Sequence, residues 1–150
     1  MARDDTKERL DFACPPGHGF FDEFELELLH PADPDERRVL ILADHPELAE
    51  AIEDEQEEIV VGGESINPRL HITIHEIVAG QLWADDPPEV WQTARRLLDA
   101  GYERHEIFHM IGSALTSGIW TLLHEQKPAD TSRYLRALEA LPASWEAMRG

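Results

Sequence analysis

Prolines mark the starts of helices along this chain, and their positions constrain the fold more than any other feature of the sequence. A helix tolerates proline in its first turn, where the backbone N–H has no partner within the helix, and excludes it further on. Stretches with helical spacing of apolar residues follow four such points, Asp33-Pro34, His45-Pro46, Asn67-Pro68 and Asp85-Asp86-Pro87-Pro88. The chain is therefore predicted to consist of helices joined by short connections.

Apolar residues recur with helical spacing in most of the remaining chain. A long helix is predicted from Glu103 or Arg104 to about Glu125, after a stop at Gly101, and an amphipathic helix begins at Thr131 or Ser132. Gly62-Gly63 and Pro128 are read as further stops. The prediction is an all-α domain, a small helical bundle of about five to six helices.

The N-terminal part of the sequence is less regular. Residues 1–19 show no period and are predicted to be a loose, flexible arm, followed by a single helical domain over 20–150. The stretch 20–29, FFDEFELELL, alternates apolar and acidic residues, so that a strand stays open, although a short helix is favoured. A second helix is predicted to continue through 47–60.

Charge and cysteine content restrict the classes of partner. The formal net charge of −18 repels phosphate backbones and anionic bilayers, so we expect neither a nucleic-acid nor a membrane partner. Cys14 is the single cysteine, which excludes an intramolecular disulfide and favours a cytoplasmic location. A protein partner or a second copy of the chain stays open.

Two histidine pairs have the spacing of metal ligands on a helix. His71 and His75 lie near the start of one predicted helix, and His105 and His109 lie near the start of another, each pair at i and i+4 and therefore on one face. Short connections predict an up, down, up course that brings both pairs to the same end of the bundle. The four imidazoles are therefore predicted to hold one divalent metal, most simply zinc. His45 is predicted at the opposite end and is not expected to be a ligand.

The second pair is part of an HExxH motif, in which Glu106 is the candidate general base beside the first ligand. Glu76 holds the same place beside His75. A metallopeptidase needs a further ligand, but Leu115 stands where the metzincin pattern would place it. The motif therefore favours a helical metal site over a known peptidase family.

The sequence also resembles bacterial proteins of the Domain of Unknown Function 1841 family. The matching pieces include His45-Pro46-Glu47, the run Asn67 to His75, and His105-Glu106-Ile107-Phe108-His109, within roughly residues 34–138. This resemblance implies an all-helical domain and no particular activity. Relatives often carry Glu at the positions of Ala79 or Gly80, Ser113 and Ser117, so this chain departs from them there.

Two functions from different classes follow from these observations. One is a small helical metalloprotein, with metal-dependent hydrolysis as its candidate activity. The alternative is a non-catalytic helical interaction module, whose histidines close one end of the core and whose acidic surface meets a basic partner. Phosphate-binding glycine motifs are absent from the sequence, which argues against nucleotide binding.

Overall fold

The computed structural model describes residues 5–61, 64–125 and 131–149, except for the side chains of residues 61, 64, 117–125, 131 and 149. The stops predicted at Gly62-Gly63 and Pro128 lie outside these residues. The chain packs as two compact units, one up to Trp83 and one from Ala84 onward. We refer to them as the N-terminal and the C-terminal unit.

The described chain is mostly helical, which confirms the predicted all-α class, with more helices than expected. The helices are α1 (Thr6–Ala13), α2 (Pro34–Ala43), α3 (Pro46–Glu53), α4 (Pro68–Ala84), α5 (Pro88–Asp99), α6 (Arg104–Glu125), α7 (Thr131–Glu139) and α8 (Ala143–Arg149). Two antiparallel hairpins, β1 (Phe20–Phe21) with β2 (Phe24–Glu25) and β3 (Ile59–Val61) with β4 (Glu64–Ile66), lie between helices. A 3-10 turn (Leu26–Leu28) follows β2.

The predicted helix starts have a visible cause. The Asp33 carboxylate accepts hydrogen bonds from the backbone N–H groups of Asp35 and Glu36, at 2.8 and 3.3 Å, and Pro34 follows it as the first residue of α2. At α4 the Asn67 side-chain oxygen accepts from the Leu70 N–H at 3.0 Å. These caps satisfy backbone donors that a helix leaves open at its start.

The first hairpin replaces the helix favoured for residues 20–29, so that prediction was wrong. Phe20 pairs with Glu25 and Phe21 with Phe24 across a two-residue turn. Asp22, in this turn, has a φ of 51°, a left-handed conformation that a right-handed helix cannot contain. Of the stretch that alternates apolar and acidic residues, only Phe24 and Glu25 lie in a strand, since the 3-10 turn begins at Leu26.

The helix predicted through residues 47–60 also ends early, at Glu53. Glu55 adopts a φ of 57°, and the Gln56 N–H donates to the Ala51 carbonyl while the Glu55 N–H donates to the Ile52 carbonyl. This pair of bonds is the Schellman closure that usually has glycine at the left-handed position. Because position 55 carries glutamate and not glycine, no sign of a helix end is visible in the sequence here.

The N-terminal segment carries a short helix. Arg9 of α1 donates hydrogen bonds to the carbonyls of Leu82 and Trp83 at the end of α4. Cys14, just beyond α1, is buried in a small core with Leu26 and Leu40. The segment therefore packs against the rest of the N-terminal unit.

Helices α2 and α4 lie side by side and antiparallel in the N-terminal unit. Arg37, near the start of α2, lies over the ring of Trp83 at the end of α4, with 5.8 Å from its guanidinium carbon to the ring centroid. Arg38, the next residue of α2, pairs at 3.0 Å with Glu76, which lies seven residues before Trp83 in α4. The end of α2 is therefore directed toward the start of α4.

The C-terminal unit contains α5 to α8 around its own core. Arg96 of α5 donates to the carbonyls of Leu138 and Leu141, which holds the end of α7. Gly101, with a φ of 98°, ends α5 as predicted. The buried side chains include Val90, Ala94, Leu97, Ile107, Met110, Ile111, Tyr134 and Leu138.

None of the helices in the described part of the chain combines the length and the apolar character needed to cross a membrane.

Candidate metal site

Helix α4 brings His71 and His75 together, as the i,i+4 spacing predicts. Their ring centroids are 4.7 Å apart, and their Nε2 atoms are separated by 3.1 Å. His75 is 7% exposed and His71 is half-buried. Two imidazole nitrogens therefore meet near the protected start of α4.

His45 joins this pair from the corner between α2 and α3. Its ring centroid lies 4.4 Å from that of His75 and 5.7 Å from that of His71. Its Nδ1 lies 2.8 Å from the carbonyl oxygen of Ile41, so Nδ1 carries the proton and donates it. The lone pair of a neutral imidazole is then on Nε2, which is buried.

The three histidines form a donor set that suits a divalent transition metal. Each of His45, His71 and His75 offers a nitrogen, and these atoms all lie within 4.8 Å of one another. A tetrahedral zinc ion with bonds of about 2.0–2.1 Å separates its ligand nitrogens by about 3.3 Å. The 3.1 Å between the Nε2 atoms of His71 and His75 is close to this spacing.

A hydrogen bond from a metal-binding histidine to a backbone carbonyl fixes both the tautomer and the direction of the ring. The Ile41 carbonyl does this for His45. We name this set of three residues the His45–His71–His75 cluster.

Glu76, beside His75, forms an ion pair between α4 and α2. Its carboxylate accepts a hydrogen bond from Arg38 at 3.0 Å, and the two side chains are 30% and 48% exposed. A partly exposed pair of this kind is worth about 0–1 kcal/mol. The Glu76 carboxylate therefore helps to hold α2 against α4 next to the histidine cluster.

The second histidine pair lies in the C-terminal unit. The rings of His105 and His109 are adjacent on α6, with centroids 4.5 Å apart. His105 is exposed, whereas His109 is half-buried and its Nε2 is buried. Each pair is thus formed as predicted, and the meeting of all four histidines at one ion stays a prediction.

Glu106, the candidate base, contacts the last helix. The indole N–H of Trp145 in α8 lies 3.4 Å from a Glu106 carboxylate oxygen and donates to it. The nearby Ser113 hydroxyl donates to the Met110 carbonyl at 2.7 Å, in its own helix. These contacts give Glu106 a partner in α8 and direct the Ser113 hydroxyl to the backbone of its own helix.

The sequence prediction missed His45, which it placed at the opposite end of the bundle. The error came from the course of the chain, because the end of α2 lies beside the start of α4. The sequence analysis did not predict that α2 and α4, which are joined through α3 and a hairpin, pack antiparallel. The signal in the sequence was the position of His45 at the α2–α3 break.

Comparisons with known proteins identify the family and little else. No curated protein and no solved structure matches the chain. The family model described as "Domain of unknown function (DUF1841)" matches residues 26–140, which include the His45–His71–His75 cluster and the His105–His109 pair. The chain belongs to the DUF1841 family.

Proposed function

We propose that this protein binds a divalent metal ion, zinc in the first place, through His45, His71 and His75. The observation that carries the proposal is the convergence of three imidazoles from two separate parts of the N-terminal unit, with ligand atoms within 4.8 Å of one another. Two histidines on one helix can be an accident of spacing. The third arrives by tertiary packing, with its ring directed by the Ile41 carbonyl.

The chemistry of the donors favours zinc. Imidazole suits zinc, copper, nickel and iron, whereas magnesium and calcium prefer oxygen ligands. The protein is strongly acidic, with a formal net charge of −18, so its long-range field attracts cations. Neutral histidines bind metal near neutral pH without first losing a proton from a cationic ring.

Three protein ligands leave one position of a tetrahedral ion for water or a substrate atom. This is the composition of catalytic zinc sites, whereas structural sites have four protein ligands. Metal-dependent hydrolysis is therefore the activity that we propose to screen for. The competing ligand assignment is the four-histidine set with His105 and His109, and Glu106 of the HExxH motif is the predicted base of that assignment.

Metal content and zinc titration of protein purified without an affinity tag test the proposal. We expect about one ion per chain. Loss of one of the three ligands in His45→Ala should weaken zinc binding by at least about 100-fold, since even the outer hydrogen-bond partners of metal ligands are worth about 10–100-fold in metal affinity. The exposed His18 offers a matched control, His18→Ala.

Ligand assignment follows from the pattern of losses. If His45→Ala leaves zinc binding unchanged while His105→Ala abolishes it, His45 is not a ligand, and further loss of zinc in His71→Ala would then support the four-histidine site. A wild-type protein that neither contains metal nor rebinds zinc would reject both assignments.

The second candidate function is the interaction module. Large apolar side chains exposed on the N-terminal unit favour it: Phe20 is 74% exposed and Leu28 is 67% exposed. A contact between copies through these residues would appear in light scattering as a dimer that Phe20→Ser with Leu28→Ser converts to monomer. A monomeric wild type at high concentration would argue against self-association.

A further inference from the structure

Two of the histidines in the His45–His71–His75 cluster are fixed relative to each other by one helix, whereas the third depends on how two helices are placed. His71 and His75 both belong to α4. His45 follows the end of α2, and its ring is tied to that helix by the 2.8 Å hydrogen bond to the Ile41 carbonyl. A shift of α2 relative to α4 therefore moves the His45 ring relative to the other two.

An ion pair joins the same two helices beside the cluster. Arg38 of α2 donates a hydrogen bond to a carboxylate oxygen of Glu76 at 3.0 Å. Glu76 directly follows His75 in α4. The ion pair therefore connects the helix that directs His45 to the residue next to another histidine of the cluster.

We propose that Arg38 is a positioning residue of the metal site. By binding Glu76, it holds α2 at the distance from α4 at which His45 reaches an ion shared with His71 and His75. The inference rests on the proposed metal binding. Zinc–nitrogen bonds are about 2.0–2.1 Å long, so a displacement of α2 by about 1 Å would stretch the bond to His45 by a large fraction of its length.

The charge of Arg38 separates this role from simple electrostatics. Zinc is a cation, so a positive charge beside the site opposes its binding, and removal of that charge alone should tighten zinc binding. Loss of a contact that positions a ligand has the opposite effect. The direction of the change in Kd therefore distinguishes the two.

Zinc titration of Arg38→Met in the full chain measures this direction, with circular dichroism as the check of folding. We expect Kd to rise about threefold to fivefold, which is within the contribution of a partly exposed ion pair. The matched control is Arg69→Met. Arg69 is exposed and lies two residues before His71, and no ion pair within residues 5–61, 64–125 and 131–149 includes it. This control loses the same charge and should bind zinc at least as tightly as wild type.

Two further variants separate positioning from a general structural role. Arg38→Lys keeps a charged donor for Glu76 and should restore zinc affinity to within about twofold of wild type. In a His45→Ala background, Arg38→Met should no longer weaken zinc binding, because the ligand through which Arg38 acts is absent. Damage to the His71–His75 pair itself would weaken zinc binding in both backgrounds.

The outcomes distinguish this inference from the proposed metal binding. A wild-type protein that does not bind zinc rejects the metal site and the positioning role together. If wild type binds zinc and Arg38→Met binds it equally or more tightly, the metal site stands and the positioning role is overturned. Equal weakening by Arg38→Met with and without His45 also overturns the positioning role.

Discussion

Zinc is expected to stabilise the N-terminal unit through the His45–His71–His75 cluster, because only the folded chain brings these residues together. A ligand that binds the folded state alone adds RT ln(1 + [L]/Kd) to the free energy of unfolding. At a free zinc concentration of about 100 times Kd, the gain is about 2.7 kcal/mol. For a unit of this size, that gain raises the midpoint of thermal unfolding by roughly 10–20 °C.

The His45→Ala variant shows how much of this gain depends on the cluster. Without metal, the change removes the hydrogen bond from Nδ1 to the Ile41 carbonyl, 2.8 Å long, and costs about 1 kcal/mol. If Kd rises by about 100-fold, the same zinc concentration equals about one Kd and adds only about 0.4 kcal/mol. The gap between wild type and variant should therefore widen by about 2.3 kcal/mol when zinc is added.

Urea unfolding followed by circular dichroism, with free zinc held by a chelating buffer, measures this difference. His18→Ala is the control, since the His18 side chain is 84% exposed and lies outside the cluster, and it should respond to zinc as wild type does. An equal zinc effect in wild type and His45→Ala would refute the assignment of His45 as a ligand, whatever its effect on the apo protein.

In the competing four-histidine assignment, Glu106→Gln should abolish any hydrolysis found for wild type. It should leave helicity and zinc content unchanged, because glutamine still accepts the indole hydrogen bond of α8; turnover at the wild-type rate would remove Glu106 as the base. Burial raises the pKa of the Tyr134 phenol, so the folded state prefers the neutral form. The contribution of Tyr134 to stability should therefore be complete below about pH 10 and fall as the pH rises further. Ultraviolet titration in a Tyr102→Phe background, which leaves Tyr134 as the only tyrosine, should show phenolate formation delayed until the protein unfolds, and ionisation of the folded protein near pH 10 would contradict this. Arg9→Met should lower the free energy of unfolding by about 2 kcal/mol, because it leaves two carbonyls at the end of α4 without a charged donor, whereas the exposed Lys7→Ala should have no measurable effect in the same urea experiment.

Local chemistry explains why much of the helical structure could be predicted. The start of α2 at Pro34, the start of α4 at Pro68 and the end of α5 before Gly101 each depend on a cap or a special backbone conformation encoded within a few residues. The same holds for the two histidine pairs, since the helical repeat alone places i and i+4 on one face.

Two helix predictions were wrong because a residue adopts a backbone conformation that is unusual for its amino-acid type. Asp22 and Glu55 both have positive φ, and each changes a predicted helix into a hairpin or a helix end. Sequence patterns assign that conformation first to glycine, because other side chains pay a steric cost for it. At Glu55, the two backbone hydrogen bonds that close the helix offset this cost.

The sequence by itself determined the helical class, the family resemblance and the pairing of His71 with His75. Only the tertiary structure placed His45 beside them, because that contact depends on how α2 packs against α4 across more than twenty residues of chain. Helix positions follow from short-range hydrogen bonding and capping, which a sequence displays directly. The assembly of the three-histidine cluster follows from burial of apolar faces between distant segments, and this long-range packing is fixed by the whole chain at once.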